Sequence, residues 1–348
     1  MKTHKDLIGK IATFENIWLA HQKARKGKRS KKSVVLFEMK LEDNLLKIKE
    51  ELASLSYIPS PYTTFLIYDP KERLISATAY KDRVIHHAIC NIIEPIFERS
   101  FIFDTYANRK GKGTYAAIKR FQKFMKKNEY VLKCDIRKYF ASINHQKLKE
   151  IIRRKIKCRA TLVLIDKIID SGNPNGKGLP IGNLTSQFFA NVYLNELDHF
   201  VKNKLRVPYI RYVDDFVLLS NNKAELDSAK IEIINFLEAY QLKIHPHKSH
   251  IIPSREGVNF LGQRVYSTHR KLLSRNVRSY YKKLATNIKR WKANKIELEK
   301  IETSLNSWRG HAKQANTKIL QTHITQMCKD KGLPFFKMDS HAWRFVEQ

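Results

Sequence analysis

The chain has 348 residues, and its hydrophobic content of 43% is sufficient for a sizeable buried core. Lys and Arg number 66 against 33 Asp and Glu, a formal net charge of +33 that predicts a polyanionic partner, either nucleic acid or an anionic membrane surface. No run of 18 apolar residues is present, which excludes a membrane-spanning helix, and the first residues lack the apolar core of a signal peptide. We therefore expect a cytoplasmic protein.

The cysteine and histidine patterns favour neither disulfides nor a zinc site. Cys90, Cys134, Cys158 and Cys328 stand far apart, with no C-x-x-C pair, so we expect buried free thiols. The segment HPHKSH, 245–250, is more typical of an exposed basic turn than of a metal site.

Hydrophobic periodicity predicts a mixture of helices and antiparallel strands. A dense basic run, QKARKGKRSKK at 22–32, precedes the first clear pattern and indicates a solvated loop or a nucleic-acid contact. Apolar residues at three-to-four spacing predict helices over 41–55, 82–98, 114–127, 145–157 and 223–240. Segments rich in β-branched and aromatic residues predict strands over 65–69, 73–80, 130–136, 208–220 and 258–266. Composition predicts a loop over 171–178 and helices from about 275 onward.

Two adjacent carboxylates interrupt the apolar run RYVDDFVLLS, 211–220. Asp214 and Asp215 repel each other, and placing them near a core costs free energy unless a cation neutralises them. Magnesium suits such a site because it prefers carboxylate and phosphate oxygens. Taken alone, an Asp-Asp pair is more often a polar hairpin turn.

A further carboxylate stands at the end of the predicted strand in VLKCDIRKYF, 131–140. Asp135 precedes Asp214 by 79 residues, which is enough for the chain to return to a neighbouring strand. Two metal ions held between such carboxylates would activate a 3′-hydroxyl and stabilise a pyrophosphate leaving group. The combined set predicts a metal-dependent nucleotidyl transfer.

These motifs resemble reverse transcriptases. YVDD at 212–215 is similar to their catalytic hairpin, and DIRKYF at 135–140 to their first acidic motif. Matching segments extend through most of the chain: 71–97 and 103–117 in the fingers, 178–198 and 242–251 in the palm, and GVNFLGQRV, 257–265, in the primer-grip hairpin.

The segment IGNLTSQ, 181–187, distinguishes subclasses within that superfamily. Intron and retroviral enzymes typically have Gln where this chain has Ile181, and Ser-Pro where it has Ser186-Gln187. This pattern, together with SWRGHAKQANTKIL at 307–320, resembles the reverse transcriptases of diversity-generating retroelements. The resemblance implies error-prone copying of a template-repeat RNA, with errors directed to adenines.

The resemblance also implies the catalytic roles. Asp135 and Asp214 would hold two Mg²⁺ ions, which Mn²⁺ can replace, together with the backbone carbonyl of Ile136. Asp215 would be a weaker ligand or a tuning charge. Lys248 would protonate the departing pyrophosphate.

Further residues would bind the substrates. Arg73, Arg83 and Lys71 are candidates to hold the triphosphate, Phe140 would exclude a ribose 2′-hydroxyl, and Ile181 and Gln187 would lie at the nascent base pair, with Asn191 on the same helix face. Phe260, Leu261 and Gly262 would form the primer grip. Nucleic-acid contacts are expected from Arg109, Lys110, Lys112, Arg275, Arg278, Lys282, Lys283, Lys289 and Arg290.

The expected fold class is α+β, a right-hand polymerase with fingers and palm and a short all-α thumb. The expected division is a helical extension at 1–60 with a basic loop, fingers at 61–130, a palm at 131–270 that includes helices at 145–178, and a helical thumb and tail at 271–348. Template RNA, its hybrid with DNA, dNTPs and a small basic helical accessory protein that forms an oligomer are the expected partners, in a bacterial or phage-encoded system.

Two alternatives remain open at this stage. One is a reverse transcriptase of a phage-defence, retron or intron system, although the chain ends where the thumb should and leaves no segment for a maturase domain. The other is a catalytically inactive RNA-binding scaffold, against which the intact Asp135, Asp214 and Asp215 argue.

Overall fold

A computed structural model describes residues 3–68, 72–173, 175–334, 336–338 and 343–345. Lys71 lies outside the described residues. Among the helices of these residues, none combines the length and apolar character that crossing a lipid bilayer requires.

The described residues form helices and short antiparallel strands in alternation. The helices are α1 Ile8–Ile11, α2 Phe14–Arg25, α3 Lys32–Glu38, α4 Leu41–Ala53, α5 Tyr80–Glu98, α6 Thr114–Met125, α7 Tyr139–Ser142, α8 His145–Lys155, α9 Arg159–Asp170, α10 Leu184–Phe200, α11 Lys223–Ala239, α12 Ser274–Lys292, α13 Leu298–Ala312 and α14 Lys318–Asp330. The strands are β1 Thr63–Ile67, β2 Arg73–Ala77, β3 Tyr130–Asp135, β4 Tyr209–Tyr212, β5 Asp215–Ser220, β6 His250–Pro253, β7 Val258–Phe260, β8 Gln263–Val265, β9 Arg270–Leu272, β10 Phe336–Met338 and β11 Trp343–Phe345.

Four strands form the central sheet, in the order β4-β5-β3-β6. Its strands are buried because their side chains are apolar on both faces, as in Val131, Leu132, Phe216 and Leu218. A separate antiparallel pair joins β1 to β2, and a three-stranded sheet has the order β7-β8-β9. The mixed α and antiparallel β class expected from the sequence is confirmed.

The chain divides into two compact units. The first comprises residues 1–113, 132–218 and 224–250, and the second comprises 114–131, 219–223 and 251–348. Within the second unit, α12, α13 and α14 enclose an apolar core around Leu284, Ile301, Leu305 and Ile324. The helical character expected beyond residue 275 is confirmed up to Asp330.

The N-terminal basic run has more regular structure than the sequence suggested. Residues 22–25 belong to α2, whose N-cap Thr13 accepts a hydrogen bond from the amide of Asn16. Residue 32 begins α3, so only the middle of the run is loop. The cysteines are confirmed as buried free thiols, and all four lie in the described residues.

Candidate active site

Asp214 occupies the tip of a tight hairpin between β4 and β5. Tyr212 pairs with Asp215, which leaves Val213 and Asp214 as the two residues of the turn. Val213 has φ of 57°, in the left-handed region that a β-branched residue rarely adopts. The carbonyl of Asp214 accepts a hydrogen bond from the amide of Ile136 at 3.3 Å. This bond ties the turn to the end of β3, where Asp135 lies.

Two lysines accompany the carboxylates. Lys248 Nζ lies 3.2 Å from Oδ1 of Asp135, and Lys133 Nζ lies 3.7 Å from Oδ2 of Asp215. Lys133 and Asp135 are two residues apart on one strand, so their side chains leave the same face. In the described part of the chain, Oδ1 of Asp215 is buried and has no hydrogen-bond partner.

Burial and neighbouring carboxylates raise the pKa of both Asp214 and Asp215. The pKa of Asp215 is raised to about 6, mainly by burial and also by the charges of Asp135 and Asp214, while Lys133 opposes the shift. Burial also raises the pKa of Asp214, as does Asp135, whereas its own backbone hydrogen bond and the charges of Lys248 and Arg73 lower it. Concentrated negative charge of this kind is stabilised by a bound cation.

The ligand atoms available here fit a hard divalent ion whose coordination shell is completed by substrate oxygens. No group of three or more His, Cys, Asp or Glu side chains stands in metal-holding geometry within the described ranges. Two carboxylates with a backbone carbonyl are nevertheless sufficient for Mg²⁺, which keeps water and phosphate oxygens in its shell. Asp135 and Asp214 could supply the carboxylates, since Asp215 faces Lys133.

Arg73 and Phe140 are two further predicted substrate-binding residues. Arg73 is exposed at the start of β2, and its charge lowers the pKa of Asp214. Tyr139 is buried and donates its hydroxyl to the carbonyl of Ala190, whereas Phe140 is half-buried with its ring edge-on to Tyr139 at 5.7 Å. Of the two adjacent aromatics, Tyr139 is therefore the core residue and Phe140 has the ring with access to solvent.

The segment around Ile181 is pinned to β2. The amide of Ser76 donates to the carbonyl of Ile181 at 2.8 Å. Gly182 has φ of +123°, and a Cβ there would approach Ile75 Cγ2 to 3.1 Å and the Ser76 carbonyl to 3.2 Å. The close approach of the two backbones explains why residue 182 is a glycine. The same contact with β2 holds the half-buried Ile181 in a fixed place.

Gln187 and Asn191 both lie on helix α10 but differ in exposure to solvent. Gln187 is exposed, but Asn191 is 3% exposed, donates to the carbonyl of Ala107 at 2.8 Å and accepts from Arg211. The expectation that Asn191 reaches a base pair stays a prediction, and in this structure its amide is engaged inside the core. Arg83 is half-buried on α5, where its charge lowers the pKa of Lys28 and His87.

The nucleic-acid contact expected at Arg109 stays a prediction, and in this structure its side chain is engaged within the fold. Its side chain is 7% exposed and pairs with Glu98, Nη2 to Oε1 at 2.7 Å, while Nη1 donates to the carbonyl of Ile102 at 2.7 Å. These bonds of the Arg109 guanidinium hold the loop after α5. Lys112 donates to the carbonyl of Phe103 and stacks on its ring, and Lys110 is exposed.

The second unit contains the predicted primer-grip hairpin. Phe260 pairs with Gln263, and the turn residues Leu261 and Gly262 have φ of 47° and 85°. Phe260 is buried against Phe121, with ring centroids 5.1 Å apart. Of these three residues, Phe260 lies in the core, whereas Leu261 and Gly262 are half-buried at the turn.

Helix α12 presents its predicted basic face to solvent. Tyr280, Leu284 and Ile288 are buried on the opposite face. The exposed basic residues of this helix include Arg275, Arg278, Lys282, Lys283, Lys289 and Arg290.

Sequence reasoning missed two sets of residues near the carboxylates. Lys133 was visible as the cation two positions before Asp135 on the same strand face, a spacing that could have identified it. Arg211 and Asp198 form a fully buried ion pair behind the hairpin. These two residues are 13 positions apart, and no local sequence pattern indicated that they would pair.

The sequence is similar to those of known proteins. The profile of the reverse transcriptase (RNA-dependent DNA polymerase) family matches residues 68–265. Protein YkfC of Escherichia coli is 25% identical over 280 residues, covering 66% of this chain and 73% of YkfC. The group II intron-encoded protein LtrA of Lactococcus lactis is 28% identical over 170 residues, which are 46% of this chain and 28% of LtrA.

A solved structure has the same fold. Apo telomerase from Candida tropicalis aligns with a TM-score of 0.52 and 15% identity, covering 78% of this chain and 59% of the telomerase chain. The chain thus spans about three quarters of one curated relative and about a quarter of the other. Since the family profile covers more than half of the sequence and the carboxylates stand together, the chain belongs to the reverse transcriptase family and is an RNA-directed DNA polymerase.

Proposed function

We propose that the protein is the error-prone reverse transcriptase of a diversity-generating retroelement, which copies a template-repeat RNA into mutagenised cDNA. The observation that carries its chemistry is the tether between Ile136 and the Asp214 carbonyl, which brings the hairpin carboxylate to the end of β3 beside Asp135. Two Mg²⁺ ions held by these carboxylates and the Ile136 carbonyl would activate the primer hydroxyl and stabilise the leaving group.

The surrounding residues support the roles that the motifs imply. Arg73 is exposed and acts electrostatically on Asp214, as a triphosphate ligand at this site would need. Lys248 is within hydrogen-bond reach of Asp135 and can deliver a proton to pyrophosphate. Phe140 is half-buried, which leaves part of the residue accessible, as a sugar-excluding ring requires. Leu261 and Gly262 hold the primer, and the basic face of α12 follows the phosphates of the hybrid.

Low fidelity is attributed to Ile181. Its side chain has no donor or acceptor, and its backbone is fixed by the bond to Ser76. A correct pair consequently gains no polar contact here that a mispair would lose. One hydrogen bond is worth about 1 kcal/mol, and 1.4 kcal/mol is about a tenfold change in discrimination.

The test compares the wild type with Ile181→Gln, and with Ile181→Val as a matched control that stays apolar. Each enzyme copies one defined RNA template, and the cDNA is sequenced. We expect Ile181→Gln to lower misincorporation by about three- to tenfold, mostly opposite adenine, and Ile181→Val to leave it unchanged. Equal error spectra for all three enzymes would remove Ile181 from the mechanism.

A second candidate is a reverse transcriptase of an intron, retron or phage-defence system. The similarity to the intron-encoded LtrA favours it. The same sequencing experiment separates the two, because high wild-type fidelity at template adenines would support the second candidate. The retroelement proposal includes a small basic helical accessory protein as partner and the bacterial cytoplasm as location.

A further inference from the structure

A buried ion pair lies directly behind the catalytic hairpin. Arg211 on β4 is 1% exposed, and Asp198 on α10 is fully buried. The guanidinium makes two bonds to the carboxylate, Nε to Oδ1 at 2.7 Å and Nη2 to Oδ2 at 2.6 Å. A bidentate pair of this kind fixes the plane of the guanidinium.

The remaining guanidinium nitrogen points toward the turn. Nη1 of Arg211 donates to the carbonyl of Val213 at 3.0 Å and to Oδ1 of Asn191 at 3.2 Å. The backbone of Arg211 is held as well, since its amide donates to the carbonyl of Asp104 and its carbonyl accepts from Tyr106. The donor aimed at Val213 is thus immobilised from several directions.

The turn itself is strained and has two tethers. Val213 is β-branched with φ of 57°, a conformation that persists only where the surroundings enforce it. Arg211 holds the Val213 carbonyl, and the amide of Ile136 holds the next carbonyl, that of Asp214. The two bonds restrain successive peptide units, which sets the direction in which the Asp214 side chain leaves the backbone.

We propose that Arg211 is a positioning residue for the metal-binding carboxylate of Asp214. By holding the Val213 carbonyl, its guanidinium keeps the turn in the left-handed conformation that places Asp214 beside Asp135. Arg211 touches neither substrate nor metal in this role. Asp198 and Asn191 orient the guanidinium.

The choice of a buried arginine supports positioning over stability alone. A buried ion pair is weak evidence for stability, because desolvation offsets its attraction and apolar residues often replace it well. A lysine would keep the charge opposite Asp198, but its compact ammonium cannot make two parallel bonds to a carboxylate and a third bond in a fixed direction. Only the guanidinium fork satisfies Asp198 and the Val213 carbonyl together.

The test measures Mn²⁺ binding to the free protein by electron paramagnetic resonance, alongside steady-state primer extension. For Arg211→Lys we expect the half-saturating Mn²⁺ concentration to rise about tenfold, equivalent to about 1.4 kcal/mol. The kcat should fall with it, while the KM for dNTP stays within about twofold. Tyr209→Phe is the matched control, because it removes a 2.9 Å bond to the same Asp198 carboxylate but leaves the Val213 tether. It should lower the Tm and leave Mn²⁺ binding unchanged.

A second substitution separates positioning from folding. Adding Val213→Gly to Arg211→Lys should restore part of the Mn²⁺ affinity, because glycine adopts positive φ without strain. Recovery is not expected if Arg211 only stabilises the core. A folded Arg211→Lys protein with wild-type Mn²⁺ binding would overturn the proposal.

A milder variant covers the case in which Arg211→Lys does not fold. Asn191→Ala keeps the ion pair and removes one acceptor that orients Nη1. We expect a rise in half-saturating Mn²⁺ of about two- to fivefold, and unchanged binding would likewise count against the proposal.

Discussion

The β4–β5 and β7–β8 hairpins have turns that are built in different ways. The β4–β5 turn places Val213 at φ of 57°, and tertiary bonds from Arg211 and Ile136 hold it there. The β7–β8 turn has a glycine, Gly262, at φ of 85° after Leu261. The second turn is encoded locally, whereas the first depends on residues brought in by the fold. The hairpin that carries Asp214 thus holds a β-branched residue at positive φ, whereas the second hairpin has Leu261 and a glycine there.

The largest expected effect is on DNA synthesis, which we assign to the β4–β5 hairpin and not to the β7–β8 hairpin. Asp135→Asn removes a proposed metal ligand beside the first hairpin, and DNA synthesis should fall by at least about a thousandfold. RNA binding should change little, because the substitution removes no phosphate contact. Asp227→Asn, at an exposed position of α11, is the matched control and should behave as wild type. Near-normal synthesis by Asp135→Asn would refute the assignment.

Local encoding of the second turn predicts a stability change. Gly262→Ala adds a Cβ that meets only Asn276 Nδ2, at 3.9 Å, so the cost is backbone strain of about 1–2 kcal/mol in the free energy of unfolding. Gly9→Ala is the control, since the added Cβ meets nothing within 4 Å and φ is not positive. Denaturant titration measures both. A Gly262→Ala protein as stable as wild type would show that the tertiary fold, and not the glycine, determines this turn.

The smallest expected effect is on nucleic-acid binding by the basic face of α12 in the second unit. Replacing exposed Lys282 and Lys283 by Ala should weaken hybrid binding and reduce the slope of log K against log salt by up to about 2. Asp135→Asn should leave that slope unchanged. Filter binding over a salt series measures it, and an unaltered slope in the lysine variant would place the hybrid away from this face of α12.

Local sequence patterns predicted most elements of the fold. The helix expected over 82–98 spans Tyr80–Glu98, and that over 145–157 spans His145–Lys155, because each has a clear apolar stripe. Helices α2 and α3 lie within the helical extension expected at 1–60, but their bounds were not predicted, since lysine and arginine obscured the apolar positions Ile17, Ala20 and Val34.

The candidate active site was also predictable in part from local sequence patterns. The carboxylates stood out because acids are rare in apolar strands, and the structure brings Asp135 and Asp214 together. The contacts that depend on tertiary partners were not predictable. Arg109 was interpreted as a nucleic-acid contact from the family resemblance, and nothing local indicated Glu98 as its partner. Asn191 shared a helix face with Gln187, but the core beneath it engages its amide.

Primer extension on a defined RNA template, with divalent ions removed by chelation and then added back, tests the central claim most directly. The wild-type protein is compared with Asp214→Asn on the same annealed primer. We predict DNA product only after the ion is restored and only with the wild type, while both proteins retain equal affinity for the template. Product without a divalent ion, or synthesis by Asp214→Asn at the wild-type rate, would contradict the assignment of catalysis to the β4–β5 hairpin.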